Sequence, residues 1–131
     1  SGGEAIPVSV VLEPDAVLEL RRHALAAHLD PRLADYIVDV VRGTREPGAL
    51  GLANLAPLIA FGASPRASIA LAQAARAHAV LQGRNYVTPQ DIQALAPDVL
   101  RHRIVLSFEA EAEDVTTDAI VEQVLQKVKV P

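Results

Sequence analysis

No cysteine, methionine or tryptophan occurs among the 131 residues. Without cysteine there is no disulfide, no thiolate chemistry and no Cys-ligated metal. That is compatible with the cytoplasm, the expected location. Lysine is confined to Lys127 and Lys129, so a phosphate loop of the form Gly-x4-Gly-Lys-Ser/Thr is excluded. Any nucleotide handled here must have its phosphate cradle on another polypeptide segment. Aromatic residues are few: Tyr36, Phe61, Tyr86 and Phe108. No apolar run approaches the length of a bilayer span, and no signal-peptide pattern is present. The net charge of −4 gives no general reason to expect nucleic acid or an anionic membrane as partner.

What the chain does have is alanine, leucine and valine. Half of it is hydrophobic, and small aliphatic side chains suit closely packed helices. The length is that of one domain with a proper core. Residues 4–131 are expected to form that single domain, with Ser1-Gly2-Gly3 a flexible lead-in or cloning remnant. The fold class is mainly α, a small helical bundle with room for one short two-stranded β element.

Along the chain, Ile6, Val8 and Val10 alternate with other residues, as a short strand or an extended lead-in would. Pro14-Asp15 opens a helical pattern carrying Val17, Leu18, Leu25 and Leu29. Asp30-Pro31 is a cap-plus-proline start for a helix with Leu33, Tyr36, Ile37, Val40 and Val41 on its apolar face. Gly43 is its expected terminator, leaving Thr44 and Arg45 at an exposed end. A turn-rich loop covers Glu46 to Gly51. Leu52 to Phe61, with Pro57 inside, reads as a short or broken helix ended by Gly62.

Gly62-Ala63-Ser64-Pro65-Arg66-Ala67 then reads as a helix start. Ser64 is suited to be the N-cap, and Pro65 the first helical residue. The helix runs to about Gln82, with Gly83 as its stop. Its alanines let neighbours approach closely, so it belongs at the centre of the bundle. Thr88-Pro89-Gln90-Asp91 is another start, with Asp91 as the capping-box acid. Ile92, Leu95, Val99 and Leu100 mark the buried side. Pro97 is expected to break this helix after about Leu95, leaving a short turn to His102. Ile104, Leu106 and Phe108 alternate as a strand would, with the Val8 segment one candidate for its partner. Thr117 is expected to cap a last helix with the face Ile120, Val121, Val124, Leu125 and Val128.

Few residues are arranged for chemistry. His23, His28, His78 and His102 form no zinc motif, and read as solvated or interface residues. There is no nucleophile elbow and no Gly-rich strand-to-helix fingerprint, which leaves a standalone hydrolase without machinery. Glu109, Glu111, Glu113 and Asp114 form an acidic run without the glycine or rhythm of a calcium loop; a solvated edge is the expected reading. Arg101, His102 and Arg103 are too few for a nucleic-acid site. Arg66 is different. It sits where free backbone N–H groups and the positive end of the helix dipole favour an anion, and a guanidinium adds a bidentate phosphate grip. Read locally, the same residues also fit a plain helix cap beside a solvated arginine.

The segments around Arg66 resemble a known family. Gly62-Ala63-Ser64-Pro65-Arg66-Ala67-Ser68, Gly83-Arg84-Asn85-Tyr86-Val87-Thr88-Pro89-Gln90-Asp91-Ile92 and Ala96-Pro97-Asp98-Val99-Leu100-Arg101-His102-Arg103 are similar to the C-terminal lid domain of MoxR-type AAA+ ATPases. Tyr36 through Arg45 resembles an earlier helix of that lid, which usually ends in a Thr-Arg pair. The resemblance implies that Arg66 is the sensor-2 arginine, with Ser64 and Pro65 forming the helix start. It would reach the γ-phosphate of ATP held by an upstream AAA+ α/β domain.

The resemblance further implies a parent that hydrolyses ATP with Mg2+ bound outside this chain. The parent would be a chaperone-like, homo-oligomeric ring, with a von Willebrand factor A domain protein as a family-type partner. Walker A, Walker B, sensor 1 and the arginine finger all belong to the α/β domain. This chain alone is therefore not expected to turn over ATP. The alternative is a free-standing helical module that binds a partner helix in an apolar groove, with no nucleotide role.

Overall fold

The computed structural model describes residues 2–131; Ser1, the first residue of the expected lead-in, lies outside them. Six α-helices carry the fold: α1 (Pro14–Ala26), α2 (Pro31–Gly43), α3 (Arg66–Leu81), α4 (Pro89–Leu100), α5 (Phe108–Ala112) and α6 (Thr117–Lys127). Two short 3-10 segments, Pro47–Leu50 and Ala53–Leu58, lie between α2 and α3. Strands β1 (Ile59–Phe61) and β2 (Val105–Leu106) form a small antiparallel pair, with Ile59 opposite Leu106 and Phe61 opposite Val105.

Helix α3 is the centre, packing against α1, α2 and α4. Its inward residues are Ala67, Leu71, Ala75 and Ala79, all without solvent exposure. They recur every four positions, so they form one stripe along the helix. Three of the four are alanine, which lets α4 come close. Ile69 and Leu81, larger apolar residues of the same helix, point outward instead and are exposed. Around the stripe close Tyr36, Ile37, Val40 and Val41 of α2, Ile92, Ala96 and Leu100 of α4, and Ile120, Val121 and Val124 of α6. Leu55 enters from the second 3-10 segment.

The starts of α2 and α4 follow their sequence signals. Asp30 accepts from the Arg32 backbone N–H at 2.9 Å. Thr88 and Asp91 form the reciprocal capping box. Gly83 takes the left-handed conformation (φ 80°) that closes α3.

Elsewhere the structure corrects the sequence reading. The Ile6–Val11 segment forms no strand and is exposed, and β2 pairs with β1, not with the Val8 segment offered as its partner. The apolar residues Val17, Leu18 and Leu25 of α1 remain exposed, so that helix rests on α3 without being enclosed. Residues 59–61, expected as the end of a broken helix, are strand β1.

Helix α4 runs without interruption through Pro97 to Leu100. Proline there removes the bond to the carbonyl four residues back and crowds that carbonyl, and the burial of Ala96 and Leu100 outweighs both. Phe108 does not continue β2. Ser107 caps α5 by accepting from the Ala110 N–H at 3.2 Å, and Phe108 stands almost wholly in solvent. The cap of α6 is Thr116, one residue before the expected Thr117, accepting from the Ala119 N–H at 3.1 Å.

Candidate functional site

Arg66 opens α3 and is exposed. Among the described residues it makes no ion pair and no side-chain hydrogen bond. Pro65 precedes it in helical conformation (φ −56°, ψ −23°). The expected hydroxyl cap by Ser64 is absent. The first turn is closed by backbone instead, the Ser64 carbonyl accepting from the Ala67 N–H at 2.9 Å and the Pro65 carbonyl from Ser68 at 3.1 Å. Because Pro65 is already helical, the Ser64 hydroxyl is not needed to satisfy that first amide, and it remains exposed beside Arg66.

The loop before α3 is tied to the end of α2. Thr44 is fully buried, not exposed as expected. Its hydroxyl donates to the Val41 carbonyl at 2.7 Å and accepts from the Ala63 N–H at 2.9 Å. The Arg45 Nη1 group donates to the Ala63 carbonyl at 2.6 Å. Both backbone polar groups of Ala63 are thus held by adjacent residues of one segment. Gly62 makes this approach possible: a Cβ there would lie 2.3 Å from the Thr44 carbonyl oxygen. Gly62 was expected to end a helix, but it follows strand β1, and what it permits is close backbone contact, which no local sequence pattern announces. Ala63 and Ala67, on either side of Arg66, are both fully buried. The guanidinium therefore projects to solvent from a backbone anchored at both flanks.

A second constellation centres on Asp91, which is buried and which the sequence offered only as a capping acid. Arg84 donates to its two carboxylate oxygens at 2.6 and 2.7 Å. His78 Nδ1 lies 2.6 Å from Oδ1, and the Thr88 N–H donates to Oδ2 at 2.7 Å. Burial by itself would raise the Asp91 carboxyl. The Arg84 guanidinium, the Thr88 N–H, His78 and the Thr88 hydroxyl outweigh it and hold the group well below the usual carboxylate range. Every ligand of this carboxylate belongs to α3, α4 or the turn between them, so the cluster is a fastener and not an open site. His78 is accordingly a partner of Asp91 and not a free histidine.

The remaining candidates separate. Glu109, Glu111, Glu113 and Asp114 lie exposed on or just after α5. Among the described residues no three acidic, histidine or cysteine side chains stand together as a metal site. Arg101 is neutralised, pairing with Asp118 at 2.8 Å and Asp98 at 3.2 Å. Between α1 and α3 runs an apolar groove of about 420 Å3, lined among others by Leu20, Leu25, Val80 and Leu81 together with Arg21 and Arg76. The Arg76 Nε is buried there and, among the described residues, has no hydrogen-bond partner. Among the described residues no helix is long and apolar enough to cross a membrane.

Comparison with known proteins agrees with this geometry. A family profile described as the AAA lid domain matches residues 53–124. The chain is 42% identical over 121 residues to Chaperone MoxR1 of Mycobacterium tuberculosis, covering 92% of this chain and 32% of that protein. It is 38% identical over 109 residues to Protein MoxR of Paracoccus denitrificans, covering 79% and 32% respectively. A crystal structure of a candidate ATPase from Cytophaga hutchinsonii superposes with a TM-score of 0.86 at 42% identity, covering 89% of this chain and 36% of that one. The chain thus spans about a third of the length of the curated relatives it matches.

Proposed function

This chain belongs to the AAA lid domain family and to its MoxR-type members, and on that premise we propose that it delivers the Arg66 guanidinium to the terminal phosphate of ATP. The nucleotide and its Mg2+ would be held by an upstream α/β domain. The observation that supports this most directly is the state of Arg66. It is an uncompensated, exposed cation at the start of a 16-residue helix, carried on backbone fixed by two buried alanines. Arginine keeps its charge at any physiological pH and presents a planar fork that matches phosphate oxygens. The helix dipole adds to the attraction within its first turn.

Bound ATP supplies the phosphoanhydride bond to be cleaved. This chain's part is to stabilise charge on the outer phosphate and to register its presence. Because Arg66 belongs to α3, whatever it grips is coupled to the whole bundle, so a change in phosphate number becomes a change in lid position. A lid coupled in this way suits a chaperone-like ATPase ring in the cytoplasm. A von Willebrand factor A domain protein is the family-type partner for that ring.

The test is equilibrium nucleotide binding by the full-length protein. Arg66→Ala should weaken ATP binding about tenfold, equivalent to roughly 1.4 kcal/mol, while leaving ADP binding near wild type. Equal loss for both nucleotides, or none, contradicts a contact to the outer phosphate. The α1–α3 groove favours a second reading, a docking face for an apolar element of another domain. Unchanged ATP–ADP discrimination would leave that reading in front.

A further inference from the structure

The two hydrogen bonds on Ala63 come from consecutive residues at the end of α2, eighteen and nineteen positions away in sequence. We propose that Thr44 and Arg45 are positioning residues for Arg66, forming a clamp that sets where the first turn of α3 presents its cation. The inference deepens the function proposed above and rests on it for its consequence in the parent protein.

The clamp has a defined division of labour. Thr44 is committed inward: its hydroxyl donates to Val41 and accepts from Ala63, and it is wholly buried. Arg45 lies at the surface, and among the described residues its side chain makes one hydrogen bond, to the Ala63 carbonyl. A surface arginine that only solvated the protein would have no need of a 2.6 Å bond to a buried residue's carbonyl. A charge-assisted donor is stronger than a neutral one, and here it takes the acceptor that immediately precedes Ser64-Pro65-Arg66.

From Ala63 onward little freedom remains. The Pro65 ring fixes one dihedral. Ala67 is locked in the core by its burial and by its N–H bond to Ser64. Gly62, with no Cβ, lets the loop lie close against the Thr44 carbonyl, where both bonds to Ala63 can form. The placement of Arg66 is thus decided from α2, by residues that need not touch nucleotide.

Two readouts test this. The first does not depend on nucleotide: amide hydrogen exchange in this 131-residue chain. Arg45→Ala should speed exchange at Ala63, Ala67 and Ser68 about tenfold or more, leave Ala75 and Val124 unchanged, and be reversed in Arg45→Lys, which restores one charged donor. Unchanged exchange at Ala63 and Ala67 overturns the clamp whatever else is observed. The second is ATP turnover in the full-length protein. Arg45→Ala should lower it by about threefold to tenfold, Arg45→Lys should restore most of it, and Arg45→Ala should cost nothing more when Arg66 is already alanine. Additive losses, or full turnover in Arg45→Ala when Arg66→Ala is impaired, overturn the positioning role and leave the Arg66 reading standing. Full turnover in Arg66→Ala overturns the Arg66 reading instead, and the exchange data then decide the clamp alone.

Discussion

Gly62 and Gly43 both lack a side chain where one would collide, but the collisions differ in kind. A Cβ at Gly62 meets backbone atoms, the Thr44 carbonyl oxygen at 2.3 Å and the Arg45 nitrogen at 2.7 Å. At Gly43 it meets the tips of two side chains, Leu50 Cδ1 at 2.7 Å and Val124 Cγ1 at 2.8 Å. The Leu50 tip can turn away and Val124 can give by a small shift, but the paired backbone cannot move without opening the clamp on Ala63. Gly62→Ala should therefore cost about 2–3 kcal/mol, the upper part of the range for overpacking, and Gly43→Ala about 1 kcal/mol. Urea midpoints of the two variants check this, and equal losses contradict it. At this scale the start of α3 was legible in the sequence because a proline at a helix start is a local signal, whereas the phosphate-contact role proposed for Arg66 came from the family resemblance and not from the local pattern. Thr44 was misplaced at an exposed helix end. Its burial follows from a partner nineteen residues away, and no window along the chain contains both.

At the scale of elements, the joint between α3 and α4 is held by a charge as well as by apolar contact. Asp91 is buried with Arg84, His78 and Thr88 around it. Removing the carboxylate leaves Arg84 without its partner, although that side chain keeps 24% of its surface in solvent. Asp91→Ala should cost about 3 kcal/mol, the low end for breaking a buried pair.

The pH dependence has a definite sign. The carboxyl is held below its ordinary value of 3.8, so the folded protein binds fewer protons there than the unfolded chain. Its stabilising effect is complete above that value and is lost as pH falls below it. Wild type should lose stability below about pH 4 more steeply than Asp91→Asn, as read from denaturation midpoints against pH. Parallel curves would contradict the ion pair. The sequence announced the ends of these helices well, because caps and prolines are short-range signals. It misjudged Pro97 and Phe108. In one case tertiary burial overrode a local breaker, and in the other a serine cap overrode an alternating pattern.

For the whole molecule, the bundle was legible from alanine content and helical spacing. The pairing of its two strands was not, since Ile59–Phe61 and Val105–Leu106 are distant in sequence and short. Several apolar side chains remain uncovered: Ile6, Val8, Val10 and Val11 of the lead-in, Leu25 of α1, and both phenylalanines. That surface fits a module about a third the length of its relatives. On the function proposed above, this chain would contribute one well-anchored arginine to a larger protein. ATP turnover by the full-length protein, with and without Arg66→Ala, tests that contribution most directly. A fall of about tenfold or more, roughly 1.4 kcal/mol of transition-state stabilisation, with folding and oligomeric state unchanged, is the predicted result. Unchanged turnover would contradict it.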